Sequence, residues 1–171
     1  MNKERLDFAR QSIEEHPRHE IHETAIIAKS AKIGKDGFGW ARDENKQLVK
    51  INHSGWVMIG PNVEIREFCT VDRGVLKGTE INEGTKIDHH CHIAHNVKIG
   101  KWNTFAAGCY IEGSCQIGDF NTFGTGVIVQ KKIKVGSHTI IGSGAVITKD
   151  VPDYAVIVGN PGRLLRMKDE D

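Results

Sequence analysis

From Ile81 onward every sixth residue is apolar: Ile81, Ile87, Ile93, Ile99, Phe105, Ile111, Ile117, Phe123, Val129, Val135, Ile141 and Ile147. Only 39% of the chain is hydrophobic, so chance is a poor explanation for an unbroken run of this length. The same phase runs upstream through Ile59, Ile65 and Val71, and through Ile21, Ile27 and Ile33. Two interruptions break it: a slip of four residues within 75–81, and an insertion between Ile33 and Ile59. The residue after the apolar position is usually small, as at Ala94, Gly100, Ala106, Gly118, Gly124, Gly136 and Gly142. A period of six fits neither a helix nor a simple alternating strand. It predicts short strands joined by tight turns, with the apolar side chain inward and the next residue in a cramped corner. Internal repetition at a fixed period is the signature of a solenoid.

The register assigns other residues. Cys69, Cys91, Cys109 and Cys115 each stand two residues before an apolar repeat position, as do Asn103 and Asn121. That slot is expected to face inward and take small side chains, where cysteine behaves as a small hydrophobe and the two asparagines can stack as an amide ladder. The stretch DHHCHIAH, residues 88–95, has the composition of a metal site. With Cys91 and Ile93 pointing in, His89, His90, His92 and His95 fall outward or at corners. His89 and His95 then lie on adjacent faces, too far turned to share one metal within a chain, and no metal is expected.

At 171 residues the chain has the size of one domain with small extensions. The division expected is an N-terminal extension over 1–20, the repeat body over 21–158 with the inserted loop 34–56, and a tail over 159–171. Within the extension, Leu6, Phe8, Ala9 and Ile13 suggest a short amphipathic helix. The inserted loop carries Phe38, Trp40 and Trp56 and is expected to pack on something, either a neighbouring subunit or its own coil as a hairpin. A formal net charge of +1 gives no reason to expect nucleic acid as a partner. No window is long and apolar enough for a membrane span, no secretory signal is apparent, and the expected location is the cytoplasm.

The six-residue period resembles the hexapeptide repeat of the left-handed parallel β-helix, which implies an all-β fold with three repeats per triangular coil. The stretches DGFGW (36–40), VMIGPNVEI (57–65), TVDRGVL (70–76), TKIDHHCHIAHNVKIG (85–100) and AAGCYIEGS (106–114), in that order, resemble the N-acyltransferase family of lipid A biosynthesis, which acylates the amine of a UDP-linked acylglucosamine. That resemblance implies that His95, in IAHN, is the general base and that the Gly113 N–H forms the oxyanion hole. The repeat independently places Gly113, eighteen residues on, one coil above His95. The chemistry is consistent: acyl transfer needs a base for the attacking amine and a fixed donor for the oxyanion. Asp72 and Asn96 are candidates to orient His95 or to contact substrate, and His89 and His92 are candidate substrate contacts.

The chain departs from that family at its ends and at Lys132, where the family carries a further histidine. The stretch GSGAVITKDVPDYAVIVGNPGRLLR (142–166) instead resembles the sugar acetyltransferases that use acetyl-CoA. This implies a CoA site formed by Lys131, Lys132, Gly144, Ala145, Lys149 and Arg163. The combined expectation is a homotrimer of roughly seven coils per chain, with active sites between subunits, moving an acetyl group from acetyl-CoA to an amine or hydroxyl of a nucleotide-linked sugar. The alternatives are a lipid A-type enzyme using acyl carrier protein and a trimer resembling the γ-class carbonic anhydrases, with metal held between chains.

Overall fold

A computed structural model describes residues 19–169, so the short helix expected around Leu6, Phe8, Ala9 and Ile13 lies outside the described residues. The described part is all β. Strands of two to five residues form three parallel sheets that stand as the faces of a prism. Each strand pairs with the strand one coil away, and between Ile81 and Ile147 the register advances by eighteen residues, as in Lys86 with Thr104 and Phe105 with Phe123. There are six complete coils. A partial seventh is formed by Val151, bridged to Val135, and by Ala155–Val158, paired with Ile140–Ile141. The tail then turns back, and Arg163–Met167 pairs antiparallel with Ala155–Val158.

The six-residue apolar series is the core. Ile81, Ile99, Ile117 and Val135 stack on the first face, Ile87, Phe105, Phe123 and Ile141 on the second, and Ile93, Ile111, Val129 and Ile147 on the third, all buried. Phe105 and Phe123 stack with ring centroids 4.4 Å apart. The cysteines lie inside the prism, unpaired, and burial pushes the Cys115 thiol up to about 11. Asn103 and Asn121 are also fully inside. Asn103 Oδ1 accepts from Asn121 N–H at 2.9 Å, and Asn121 Oδ1 accepts from Thr139 N–H at 2.7 Å and from its hydroxyl at 2.8 Å.

The corners are tight for a physical reason. A Cβ on Gly118 would stand 2.7 Å from Gly136 O and 2.5 Å from Ser137 Oγ. A second regularity was not visible in the hydropathy. The corner positions Gly84, His90, Asn96, Trp102, Gly108, Ser114, Phe120, Gly126, Lys132, His138 and Gly144, six residues apart, all have positive φ between 55° and 72°. Such a conformation suits glycine and asparagine best. That His90 and Lys132 hold it shows that the coil stacking over-determines the turn.

Both interruptions fall at one corner, the one joining the third face to the first. The insertion 34–56 lies there in the first coil, and residues 73–78 in the second. The same corner then holds 94–97, 112–115, 130–133 and 148–151 in successive coils. The insertion contains an antiparallel hairpin of Trp40–Arg42 with Leu48–Lys50. A hairpin is one of the two arrangements expected. Phe38 is 91% exposed and meets Trp40 edge-on at 6.4 Å, while residues 53–55 are buried against the second coil. Ser54 and Gly55 donate their N–H groups to Val75 O and Gly74 O.

Candidate active site

His95 is half-buried at this corner, and its orientation is set by its neighbour. Asn96 Oδ1 accepts a hydrogen bond from Val75 N–H at 3.0 Å, which identifies that atom as the amide oxygen. The same oxygen lies 3.0 Å from His95 Nδ1. An acceptor faces Nδ1, so Nδ1 carries the proton and Nε2 of the neutral ring keeps its lone pair. Asn96 N–H is in turn held by Thr79 Oγ1 at 2.9 Å, and its φ of 61° is one that asparagine adopts easily. Of the two candidates for orienting His95, geometry selects Asn96.

Gly113 stands directly over the ring. A Cβ there would lie 2.7 Å from both Nε2 and Cε1 of His95, so the imidazole itself occupies the space that a side chain would need. The coil bonds at this point run from Ser114 N–H to His95 O and from Lys132 N–H to Gly113 O, both 3.0 Å. No such bond among the described residues uses the Gly113 N–H.

Asp72 and His92 adjoin the site. Asp72 is 8% exposed, and burial pushes its carboxyl above the usual range, with His92 and His95 pulling the other way. His92 Nε2 lies 3.7 Å from Asp72 Oδ2, and its Nδ1 lies 2.6 Å from Thr70 Oγ1. His89 belongs elsewhere. It sits at the corner between the second and third faces, with Nε2 2.9 Å from Glu67 Oε2 and Nδ1 beside Asp88. His90 stacks on Phe68 at 5.1 Å. The four histidines of 88–95 therefore have separate partners, and among the described residues no three His, Cys, Asp or Glu side chains are grouped to hold a metal.

Lys131 and Lys149 stand one and two coils beyond Gly113 at the same corner, exposed, with Lys132 beside them. Gly144 and Ala145 share the other corner, with His89. The Ala145 side chain is buried, and its N–H and C=O are taken by Gly142 and Ile128. The Gly144 N–H is taken by Thr125 O. Neither N–H is thus free to meet a ligand. Arg163 is exposed on the returning tail strand.

Two residues at this corner were given no role by the sequence reading. His53, in the insertion, meets His95 edge-to-face with ring centroids 5.4 Å apart. Counting along the chain puts it out of register, but the insertion folds back, so the count has no meaning there. Asp36 is the other. It accepts from Arg73 Nε at 2.9 Å and from Lys50 Nζ at 3.0 Å, which pins the base of the insertion to the second coil. These two cations hold its carboxyl below the usual range against the opposing effect of partial burial.

The chain is similar to known proteins over part of its length. The model of the bacterial transferase hexapeptide (six repeats) matches residues 78–113 and 114–149. The UDP-3-O-acylglucosamine N-acyltransferase of Shewanella denitrificans is 46% identical over 92 residues, 53% of this chain and 27% of that protein. The protein of the same name from Coxiella burnetii is 48% identical over 86 residues, 50% of this chain and 25% of its own length. The chain thus spans about a quarter of these relatives. Among solved structures, the UDP-N-acetylglucosamine acyltransferase of Francisella novicida superposes with a TM-score of 0.71 at 22% identity, over 89% of this chain and 71% of that one. The enzyme of that name from Campylobacter jejuni gives 0.65 at 21%, over 86% and 75%. The fold they share with this chain is the left-handed parallel β-helix. Through residues 78–149, the chain is similar to the bacterial transferase hexapeptide family.

Proposed function

We propose that this protein is an acyltransferase that moves an acetyl group from acetyl-CoA to an amine of a nucleotide-linked sugar, with His95 as general base. The observation that carries the reading is the fixed Nε2 lone pair of His95 beneath Gly113. The amine nitrogen attacks the thioester carbonyl carbon, and the carbonyl π pair moves onto oxygen, where the Gly113 N–H stabilises it. His95 Nε2 takes the proton from the nitrogen. Collapse of the intermediate expels the CoA sulfur, and the proton on His95 passes to it. Asp72 and His92 border the acceptor side. Lys131, Lys132 and Lys149 form a basic strip suited to the phosphates of CoA, joined by Arg163. Gly144 contributes its carbonyl, and His89, at the other corner, reaches substrate only across a subunit boundary. That arrangement calls for a homotrimer, with each site completed by the neighbouring chain, and for a cytoplasmic supply of acetyl-CoA.

A second reading has a specific observation behind it. The relatives of highest identity above are named for N-acylation of UDP-3-O-acylglucosamine, which makes an acyl carrier protein a candidate donor. The test supplies either acetyl-CoA or acyl-loaded carrier protein, with a panel of UDP-linked amino sugars, and reads product by mass spectrometry. Acetylated product from acetyl-CoA supports the proposal. Product from the carrier protein alone supports the second reading.

A further inference from the structure

Resting on that reading, the geometry points to His53 as a second substrate-contacting histidine, one that accepts a hydrogen bond from the attacking amine and selects amines over hydroxyls. His53 is 4% exposed. Its Nδ1 lies 3.0 Å from Ile51 O, so Nδ1 donates and Nε2 carries the lone pair. That Nε2 is fully buried and has no hydrogen-bond partner. A buried orphan acceptor is costly and uncommon, and in a native protein it calls for a cause. Here it faces the catalytic corner. A Cβ on Gly37 would lie 3.0 Å from His53 Nε2, 3.1 Å from Asp72 Oδ2 and 3.3 Å from His95 Cδ2, so the three side chains converge on one point.

What covers that point is backbone. Gly37 and Gly39 lie close against the His53 ring, and a Cβ on Gly39 would come within 2.8 Å of its Cε1. Phe38 between them is 91% exposed. Over the histidines themselves the segment is therefore held by no side chain of its own, only at its ends, by Asp36 with Arg73 and Lys50 and by the Ile51 N–H on Gly39 O. When it withdraws, a nitrogen can enter between the rings.

The selection follows from counting hydrogens. A neutral amine has two or more N–H bonds and a lone pair. With one N–H directed to His95 Nε2 and a second to His53 Nε2, the lone pair is left to face the thioester. A hydroxyl has one hydrogen. It can satisfy His95 or His53 but not both, and leaves a buried acceptor unpaired. Discrimination against a ligand that leaves a built polar site unpaired is generally large. No proton is transferred to His53 in this scheme.

The test compares the wild type with His53→Phe and His53→Gln on a UDP-linked amino sugar and on its hydroxyl counterpart, with thermal midpoints of all three. His53→Phe fills the same space without an acceptor. The expected results are an unchanged or higher midpoint, a fall of about 10- to 100-fold in kcat/KM for the amine, and a collapse of the amine-over-hydroxyl preference, with partial recovery of that preference in His53→Gln. A purely structural role would lower both acceptors together and leave the preference intact. An unchanged preference in the folded His53→Phe variant overturns the inference and leaves the proposed function standing. A wild type that acylates neither acceptor overturns the proposed function, and this inference with it.

Discussion

At the scale of residues, the Asn96 amide and the bare Gly113 backbone together set the orientation and surroundings of His95, the proposed base. Asn96 holds the His95 tautomer, and Gly113 is glycine because the imidazole fills the place of its side chain. Gly113→Ala forces the ring to move, since the new methyl would be 2.7 Å from it. We expect turnover to fall by about 100-fold, as misplacement of a catalytic group by about 1 Å can do, with little change in thermal midpoint. His53 gives a pH signature. Burial, followed by the neighbouring His95, holds its folded-state pKa below the ordinary value of 6.5, while Asp36 and the Ile51 carbonyl pull it the other way. Below about pH 6.5 the unfolded chain then binds a proton that the folded chain resists, so this residue subtracts stability as pH falls. Asp72 shifts in the opposite sense. Its raised pKa makes the folded chain bind a proton more readily than the unfolded one, so its contribution is lost as pH rises above the ordinary carboxylate range. The midpoint of the wild type should therefore drop more steeply between pH 7.5 and 5.5 than that of His53→Phe. Parallel slopes for the two proteins would contradict this.

At the scale of elements, the strands are short and the rungs between coils do the specifying. The Asn103–Asn121–Thr139 ladder is one such rung. Asn121 Oδ1 satisfies two groups of Thr139 inside the prism. Asn121→Ala removes that acceptor, and a loss of about 1–3 kcal/mol is expected in urea unfolding. A change within experimental error would mean that the interior rearranges to pair Thr139 elsewhere. This ladder and the inward cysteines were legible in the sequence, because a fixed register assigns every side chain a direction. The left-handed corner positions were not. Residues as different as His90, Trp102 and Lys132 occupy them, so no residue type marks them. The insertion was legible only as an interruption. Its Trp40–Arg42 hairpin and the return of His53 to the site depend on long-range contacts, to which a six-residue count is blind.

At the scale of the molecule, one corner of the prism gathers the insertion, the slip, His95, Gly113 and the lysines. That both breaks in the repeat fall where the candidate chemistry lies became apparent only with the coils stacked. If neighbouring chains complete each site in a trimer, as proposed, light scattering should give three times the 19.0 kDa of one chain. Replacing Lys131 and Lys149 together by Glu should abolish the rise in thermal midpoint that millimolar CoA gives the wild type, since a ligand stabilises only the state that binds it. A full CoA response in that variant would move the cofactor to another face. The most direct test is the rate of acetyl transfer from acetyl-CoA to a UDP-linked amino sugar by the wild type and by His95→Gln. The prediction is product from the wild type and a fall of about 100- to 10,000-fold in the variant, at an unchanged thermal midpoint. Equal rates in the two proteins would contradict the assignment of His95 as the base.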